Sequence, residues 1–540
     1  MEETSPAKLR GGFYTPQQLV GDCLMRITSL LGKGRALDIL EPSAGDGAFV
    51  RGAEILNGSF CHDSRFTCLE LIAEEADKCR AAIEGGHIKG KVINESFFAW
   101  AKNQSKRFHA VVGNPPFVRY QFVPKEQRSD AEELFLRLGK TLDGVSNLWI
   151  PIFLGSLELL ETGGAFSMVL PGELFSTKST GVVRSELIRN FESLRIDLYP
   201  RGSFAKILQD IVVLSGQKSN SQATGRNVEF VEHCESGNRT WSHWIPDTNK
   251  TWMPYLLTDR ELSAFASACK LPEMKPLGDV AQIGVSIVTG ANDFFTVNDA
   301  TLRQYQLQHW AKPLLARTND CPGLVFAKDD HLRALEAGKK VWMLDFSDGL
   351  DDPMKHPLAR KYIKQGEELK LHTRYKTSIR EPWYRVPDMR HDSLMLFKRA
   401  HQFHRLLLNK CSILTTDTIY RGRMKVPYSK CIDSLVAAFH NSTTILSSEI
   451  EGRTYGGGVL ELVPSEIRRL TVPLVDMKRY LVQLDKTCRS VGGQIDSTDT
   501  LINKTDEFLC KIMPALKPFM DDLHSARTHL RQRRFFGQAA

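Results

Sequence analysis

The sequence predicts a doubly wound, mostly parallel α/β sheet of Rossmann-like type over residues 1–250, followed by a second, α+β domain over residues 251–540. Three observations predict it. Short apolar runs alternate with helical segments through about seven units between Ala36 and Val231, the pattern of βαβ units that cover both faces of a parallel sheet. A turn rich in small residues, Ser43-Ala44-Gly45-Asp46-Gly47, follows the first apolar run, where α/β sheets receive ligands. The alternation gives out after Val228-Glu229-Phe230-Val231 into a polar, tryptophan-bearing stretch over 235–252, which places the domain boundary between residues 235 and 275. A chain of 540 residues also exceeds the usual size of one domain.

The first run, Ala36-Leu37-Asp38-Ile39-Leu40, reads as a buried strand, and residues 50–56 as the helix after the turn. The turn does not complete a G-x-G-x-x-G, because Val50 stands at the third glycine position. Its leading residue is Glu41, which would repel a pyrophosphate and suits a cationic ligand. S-adenosyl-L-methionine, with an ammonium and a sulfonium, meets that requirement. Glu41, Pro42, Ser43, Gly45 and Gly47 are therefore candidate cofactor residues. The next strand, Phe66-Thr67-Cys68-Leu69, ends at Glu70, where a carboxylate can bind ribose hydroxyls. The third, Lys91-Val92-Ile93, runs into Asn94-Glu95-Ser96-Phe97-Phe98, a place for contacts to the adenine ring of the cofactor.

The fourth strand, Ala110-Val111-Val112-Gly113, delivers Asn114-Pro115-Pro116-Phe117 to the carboxyl edge of the sheet. Two prolines fix φ and keep this segment from entering a helix at once. The Asn114 side-chain oxygen and the Pro115 carbonyl are acceptors for one exocyclic NH2 group. Such bonds would draw an amino lone pair out of its conjugation with a ring and make it nucleophilic. Phe117 offers a ring face to a planar base.

These segments and their order resemble the N6-adenine DNA methyltransferases of the gamma class, found in bacterial restriction-modification systems. Gly11-Gly12-Phe13-Tyr14-Thr15-Pro16 resembles the N-terminal cofactor segment, which adds Thr15 to the cofactor set. Residues 41–49 resemble the glycine turn, Glu70 the ribose carboxylate and Asn114-Pro115-Pro116-Phe117 the catalytic loop. Asn147-Leu148-Trp149 opens a helix expected to close at Gly163-Gly164, followed by the strand at 165–170. Arg201-Gly202-Ser203-Phe204 resembles the segment whose aromatic residue sandwiches the flipped base, so Phe204 is the second stacking face beside Phe117. In two places the chain departs from the family pattern: Phe117 stands where Tyr is frequent, and Ser96, flanked by Glu95, where Asp is common. The resemblance implies a site-specific adenine-N6 methyltransferase that uses S-adenosyl-L-methionine on a flipped base in double-stranded DNA. It implies catalysis in residues 1–250 and target recognition in 251–540, a monomer, and a separate restriction endonuclease as possible partner.

Composition fits that expectation. Hydrophobic residues make up 42% and charged residues 25%, as in globular proteins. No run approaches the ~18 apolar residues of a membrane span, and Met1-Glu2-Glu3-Thr4 has no signal-type features, so a cytoplasmic bacterial or archaeal protein is expected. Eleven scattered cysteines without a C-x-x-C pair predict reduced thiols and no metal site. Between Leu371 and Lys425 stand twelve Lys or Arg against four acids, an excess of eight that equals the net charge of the whole chain. Tyr375, Trp383, Tyr384 and Tyr420 interleave with them. A phosphate-tracking surface is expected there, with Arg374, Lys376, Arg380, Arg385, Lys398, Arg399, Arg421 and Arg423 as DNA contacts. The terminal Arg531-Gln532-Arg533-Arg534 is a basic tail for phosphates or for solvent. Two alternatives stay open: a cytosine-N4 enzyme, which more often has Ser at the first catalytic position, and a DNA-binding specificity subunit without activity.

Overall fold

The computed structural model describes residues 14–56, 63–142, 144–199, 211–234, 237–248, 250–347, 351–491 and 498–535. The chain divides into two compact units, one reaching to Asp259 and the other running from Arg260 to Arg534.

The first unit opens with α1 (Gln17–Leu31), whose buried Leu19, Val20, Cys23, Leu24 and Ile27 recur at helical spacing along one face. Then follow β1 (Asp38–Glu41), α2 (Ala48–Ile55), β2 (Arg65–Leu69), α3 (Ala73–Glu84), β3 (Lys89–Ile93), α4 (Phe97–Ala101) and β4 (Phe108–Gly113). The rest comprises α5 (Lys125–Arg137), α6 (Trp149–Glu158), β5 (Leu160–Pro171), α7 (Gly181–Asn190), β6 (Phe191–Leu198), β7 (Ile211–Lys218), β8 (Gly225–Glu232) and β9 (Arg239–Pro246). The strands form one sheet in the order β3-β2-β1-β4-β5-β7-β6-β8-β9. Among the described residues, five of its eight ladders are parallel, so the sheet is mostly parallel and doubly wound as expected.

β4 and the second part of β5, residues 164–171, are buried almost throughout, as expected for central strands covered on both faces. On one face α1 and α2 bury Leu24, Ile27, Phe49 and Val50 against Ile39, Phe66, Ala110 and Val112. Elsewhere in the core Phe166 meets Phe153 and Phe191 edge to face, at centroid distances of 5.4 and 5.1 Å. The helix begun at Trp149 ends at Glu158, before the expected stop; Gly163 and Gly164 fall inside the twelve residues of β5.

The second unit is α+β. Its largest sheet has five short strands in the spatial order Ala281–Gly284, Ile419–Met424, Leu394–Phe397, Leu406–Asn409 and Val325–Phe326. A four-stranded sheet sits on a core of Phe294, Phe295, Trp310, Trp383 and Tyr384. Helices Leu481–Val491, Thr498–Ile512 and Met520–Phe535 close the unit in sequence. Among the described residues no helix is long and apolar enough to cross a membrane, ten cysteines are free, and no cluster of His, Cys, Asp and Glu is arranged to hold a metal.

Candidate functional site

β1 is flanked by β2 on one side and β4 on the other, the point at which the strand order reverses. Loops leaving the carboxyl ends of strands on the two sides of such a point diverge and open a crevice. Here that crevice is a cavity of about 570 Å³ lined by Thr15, Glu41, Pro42, Ser43, Gly45, Glu70, Ser96, Asn114 and Pro116. Residues from five stretches far apart in sequence thus meet at one edge of the sheet.

Gly47, Pro115 and Phe117 do not line it. Gly47 ends the turn at φ +83°, and a Cβ there would lie 3.1 Å from Cys79 Cα, so its smallness admits α3 rather than a ligand. Pro115 is buried. Phe117 is half-buried and packs against the apolar core formed with α1 and α2. Phe204 lies outside the described residues.

Sequence reasoning missed the electrostatic character of this cavity. Asp46, Glu74, Glu75 and Glu95 join Glu41 and Glu70 in the lining, and no Lys, Arg or His lines it. One signal was available: Glu70, Glu74 and Glu75 fall within six positions after β2, so the loop and the first turn of α3 must bring three acids to one edge. Asp46 pairs with Arg51 and Glu75 with Lys78, both cations lying outside the lining; the remaining acids give the cavity a negative field that disfavours phosphates and attracts a cation. The apolar remainder is Phe97, Phe98, Val118, Phe122, Val123, Leu148 and Ile152, surfaces for planar rings.

Glu41 is 1% exposed and its Oε2 accepts from Cys68 Sγ at 3.6 Å. Burial holds its carboxyl well above the usual carboxylate range; the nearby Cys79 adds to the rise, and the Cys68 bond opposes it. A cation bound beside such a buried acid favours its ionised form. Glu70 Oε2 accepts from the Gly45 N–H at 2.9 Å and Oε1 from the Ile72 N–H at 2.8 Å. A carboxylate so held retains lone pairs for two hydroxyls. Ser96 caps α4 by position, but its side chain makes no capping bond. An acidic pocket with a carboxylate fixed at the β2 end fits a cationic nucleoside such as S-adenosyl-L-methionine.

Gly113 leaves β4 at φ +154°, with Pro42 Cδ 3.4 Å from where a Cβ would be, so the fourth strand passes close under the glycine turn. Asn114 Nδ2 donates to Thr15 Oγ1 at 3.2 Å, and the Asn114 carbonyl accepts from Ser43 Oγ at 3.4 Å. Its Oδ1 is buried with no hydrogen-bond partner among the described residues. Such an acceptor costs about 1–3 kcal/mol while unmade. It is the acceptor that an incoming amino group would satisfy.

The basic region sorts into two groups. Arg374, Lys376, Arg385 and Arg423 are exposed. The other four make contacts within the unit: Arg399 is itself exposed, whereas Arg380 and Lys398 are half-buried and Arg421 is buried, and these three depart from the expectation that all eight face phosphate. Arg421 pairs with Asp388 and donates to the Asp388 and Arg390 carbonyls at 3.1 and 2.8 Å. Arg380 forks onto the Val288 and Thr289 carbonyls, each at 2.7 Å. Arg399 and Lys398 both pair with Glu461. Trp383, Tyr384 and Tyr420 are core residues, and only Tyr375 of the four aromatics is exposed. The terminal basic tail is corrected as well: Arg534 is buried against Glu449, and Arg531 pairs with Asp499. Thr289-Gly290-Ala291-Asn292 and Thr415-Thr416-Asp417 come together, Ser286 Oγ donating to the Thr415 carbonyl at 2.7 Å and Asn292 Nδ2 to Asp417 Oδ1 at 3.2 Å.

Two family models match the chain. One, described as Eco57I restriction-modification methylase, matches residues 65–202, and the other, Type II methyltransferase M.Eco57I, C-terminal domain, matches residues 249–509. Type II methyltransferase M.AccI of Acinetobacter calcoaceticus is 21% identical over 501 residues, 89% of this chain and 90% of that protein. Type II methyltransferase M.XamI of Xanthomonas campestris pv. amaranthicola is 21% identical over 491 residues, 86% and 85% of the two chains. The Type IIL restriction-modification enzyme MmeI, solved in complex with DNA, is alike in fold, with a TM-score of 0.51, 11% identity, and coverage of 97% of this chain and 73% of that one.

Proposed function

The chain belongs to the Eco57I-type restriction-modification methyltransferases, and on that premise we propose that this DNA methyltransferase acts on the N6 amino group of an adenine flipped out of duplex DNA. Its cofactor is S-adenosyl-L-methionine. The observation that supports the adenine reading most directly is the buried, unpartnered Oδ1 of Asn114, a residue that lines the acidic cavity.

When bound, S-adenosyl-L-methionine supplies an electrophilic methyl on a positive sulfur. Glu41 and the other lining carboxylates would hold the positive end, Glu70 the ribose hydroxyls, and Ser96 with Phe97 and Phe98 the ring. Asn114 Oδ1, together with the Pro115 carbonyl, would accept hydrogen bonds from the adenine amino group and free its lone pair. Positioning and electrostatics supply most of the acceleration in such a site. The N-P-P-F loop contains no titratable side chain, so the loop itself supplies no general base. A base cannot be reached while stacked, and extrusion costs about a few kcal/mol. Phe117 and Phe204 are assigned to the two faces of the extruded ring. Arg374, Lys376, Arg385 and Arg423 are assigned to backbone phosphates, with residues 251–540 as the target-recognition domain.

Expression in a methylation-free host, followed by mapping of modified bases by long-read sequencing, tests the proposal. N6-methyladenine at one short recurrent sequence is expected. N4-methylcytosine instead would transfer the reading to cytosine, and unmodified DNA would overturn it.

A further inference from the structure

We propose that the Thr15 hydroxyl is a relay that couples occupancy of the acidic cavity to the orientation of the Asn114 amide; the proposal rests on the methyl-transfer reading above. An Asn amide can be turned two ways, and only one presents an acceptor to an incoming amino group. The bond from Asn114 Nδ2 to Thr15 Oγ1, at 3.2 Å, selects that way and leaves Oδ1 as the buried, unpartnered atom. A turned-over amide could instead accept the Thr15 proton through Oδ1, so the orientation seen is held firmly only when another acceptor takes that proton.

Thr15 accepts this bond through its oxygen and keeps its own proton, which has no acceptor among the described residues. Its side chain lines the cavity. The neighbouring hydroxyls are already engaged: Tyr14 donates to Glu75 and Ser43 to the Asn114 carbonyl. A ligand with an amino-acid end brings a carboxylate into a lining of six carboxylates, and that group must find a donor. Thr15 is the donor that also touches Asn114. A hydroxyl that donates to a carboxylate becomes a stronger acceptor for the next bond in the chain. Ligand binding and alignment of the Asn114 amide therefore strengthen each other, and by linkage the effect is the same in both directions.

A double-mutant cycle read by calorimetry of S-adenosyl-L-homocysteine binding tests this without turnover. Thr15→Ala is expected to weaken binding about tenfold. Asn114→Ala is expected to weaken it about fivefold where Thr15 is present and not at all in the Thr15→Ala background. Thr15→Ser, which keeps the hydroxyl, should restore both the affinity and the dependence on Asn114. Multiplicative losses in the double variant, or a Thr15→Ser protein that behaves like Thr15→Ala, would overturn the relay. A wild-type chain that binds S-adenosyl-L-homocysteine but methylates no DNA overturns the functional reading while the cycle still reports on the relay; a wild type that binds none overturns both.

Discussion

The Gly45 amide donates to Glu70 Oε2 at 2.9 Å, and with the Ala44 amide on the Leu69 carbonyl at 2.8 Å it ties the turn after β1 to the end of β2. The other carboxylate oxygen of Glu70 holds the Ile72 amide at 2.8 Å, so the residue assigned to the ribose also shapes the loop that leads into α3. Glu70→Ala leaves two backbone donors without a partner. A stability loss of about 1–3 kcal/mol by denaturant titration is expected, together with at least about tenfold weaker S-adenosyl-L-homocysteine binding by calorimetry. Unchanged affinity would remove Glu70 from the cofactor set.

Glu41 has a carboxyl raised by burial, and the sign of its effect on stability follows. Above the unfolded carboxylate range the unfolded chain has released this proton while the folded chain still holds it. Stability is therefore lost as pH rises towards the folded value, and the deficit is complete above it. Glu41→Gln should melt at a higher temperature than the wild type at neutral pH, with the difference vanishing below about pH 4. The same variant should bind cofactor more weakly, because the charge that pairs with the cation is gone. Equal melting temperatures across the range would show that Glu41 is not desolvated.

Asn114→Ala removes the unpartnered buried oxygen and the acceptor assigned to the amino group. Single-turnover methylation should fall by about 10²-fold or more, the scale on which one preorganised polar group contributes. DNA affinity should stay within a few-fold, measured by fluorescence anisotropy. Methylation at the native rate would sink the assignment of the loop.

The two classes of basic residue should separate experimentally. Neutralising Arg374, Lys376, Arg385 or Arg423 should each reduce the slope of log affinity against log salt by about 0.9 where a phosphate contact is lost, with little change in melting. Arg421 is 9% exposed and donates to the Asp388 and Arg390 carbonyls, so Arg421→Ala should cost about 1–3 kcal/mol of stability. A salt slope that no exposed variant changes would take this region out of the DNA interface.

His404 and His440 are wholly buried in the second unit, where burial pushes both imidazoles down to about 3. Between that value and the ordinary histidine range the unfolded chain binds protons that the folded chain refuses. Their contribution to stability is intact above about pH 6.5 and is lost as pH falls, by up to about 1.4 kcal/mol per pH unit for each histidine. Equilibrium denaturation at several pH values should show this slope, and His404→Phe should reduce it by about one proton.

The cofactor turn and the N-P-P-F loop were legible because each is a local strand-to-loop junction with residue types that few other chemistries require. The alternation of strands and helices was legible for the same reason, since period and glycine placement are short-range properties. The end of the helix begun at Trp149 was not: Gly163-Gly164 resembles a stop, yet hydrogen bonding to β4 takes the segment from Leu160 onward into the sheet.

By itself the sequence determined the sheet, the position of the glycine turn at its edge and the loop that delivers Asn114. Tertiary structure alone decided which charges are available to a partner and which way the Asn114 amide faces. Arg380, Arg421 and Arg534 have the composition of a phosphate-binding surface, but carbonyls and carboxylates far off in sequence claim them, because a buried guanidinium must be paired. The acidic cavity and the Thr15 contact to Asn114 likewise exist only where five separate stretches meet at one end of the sheet. No local pattern encodes such a meeting.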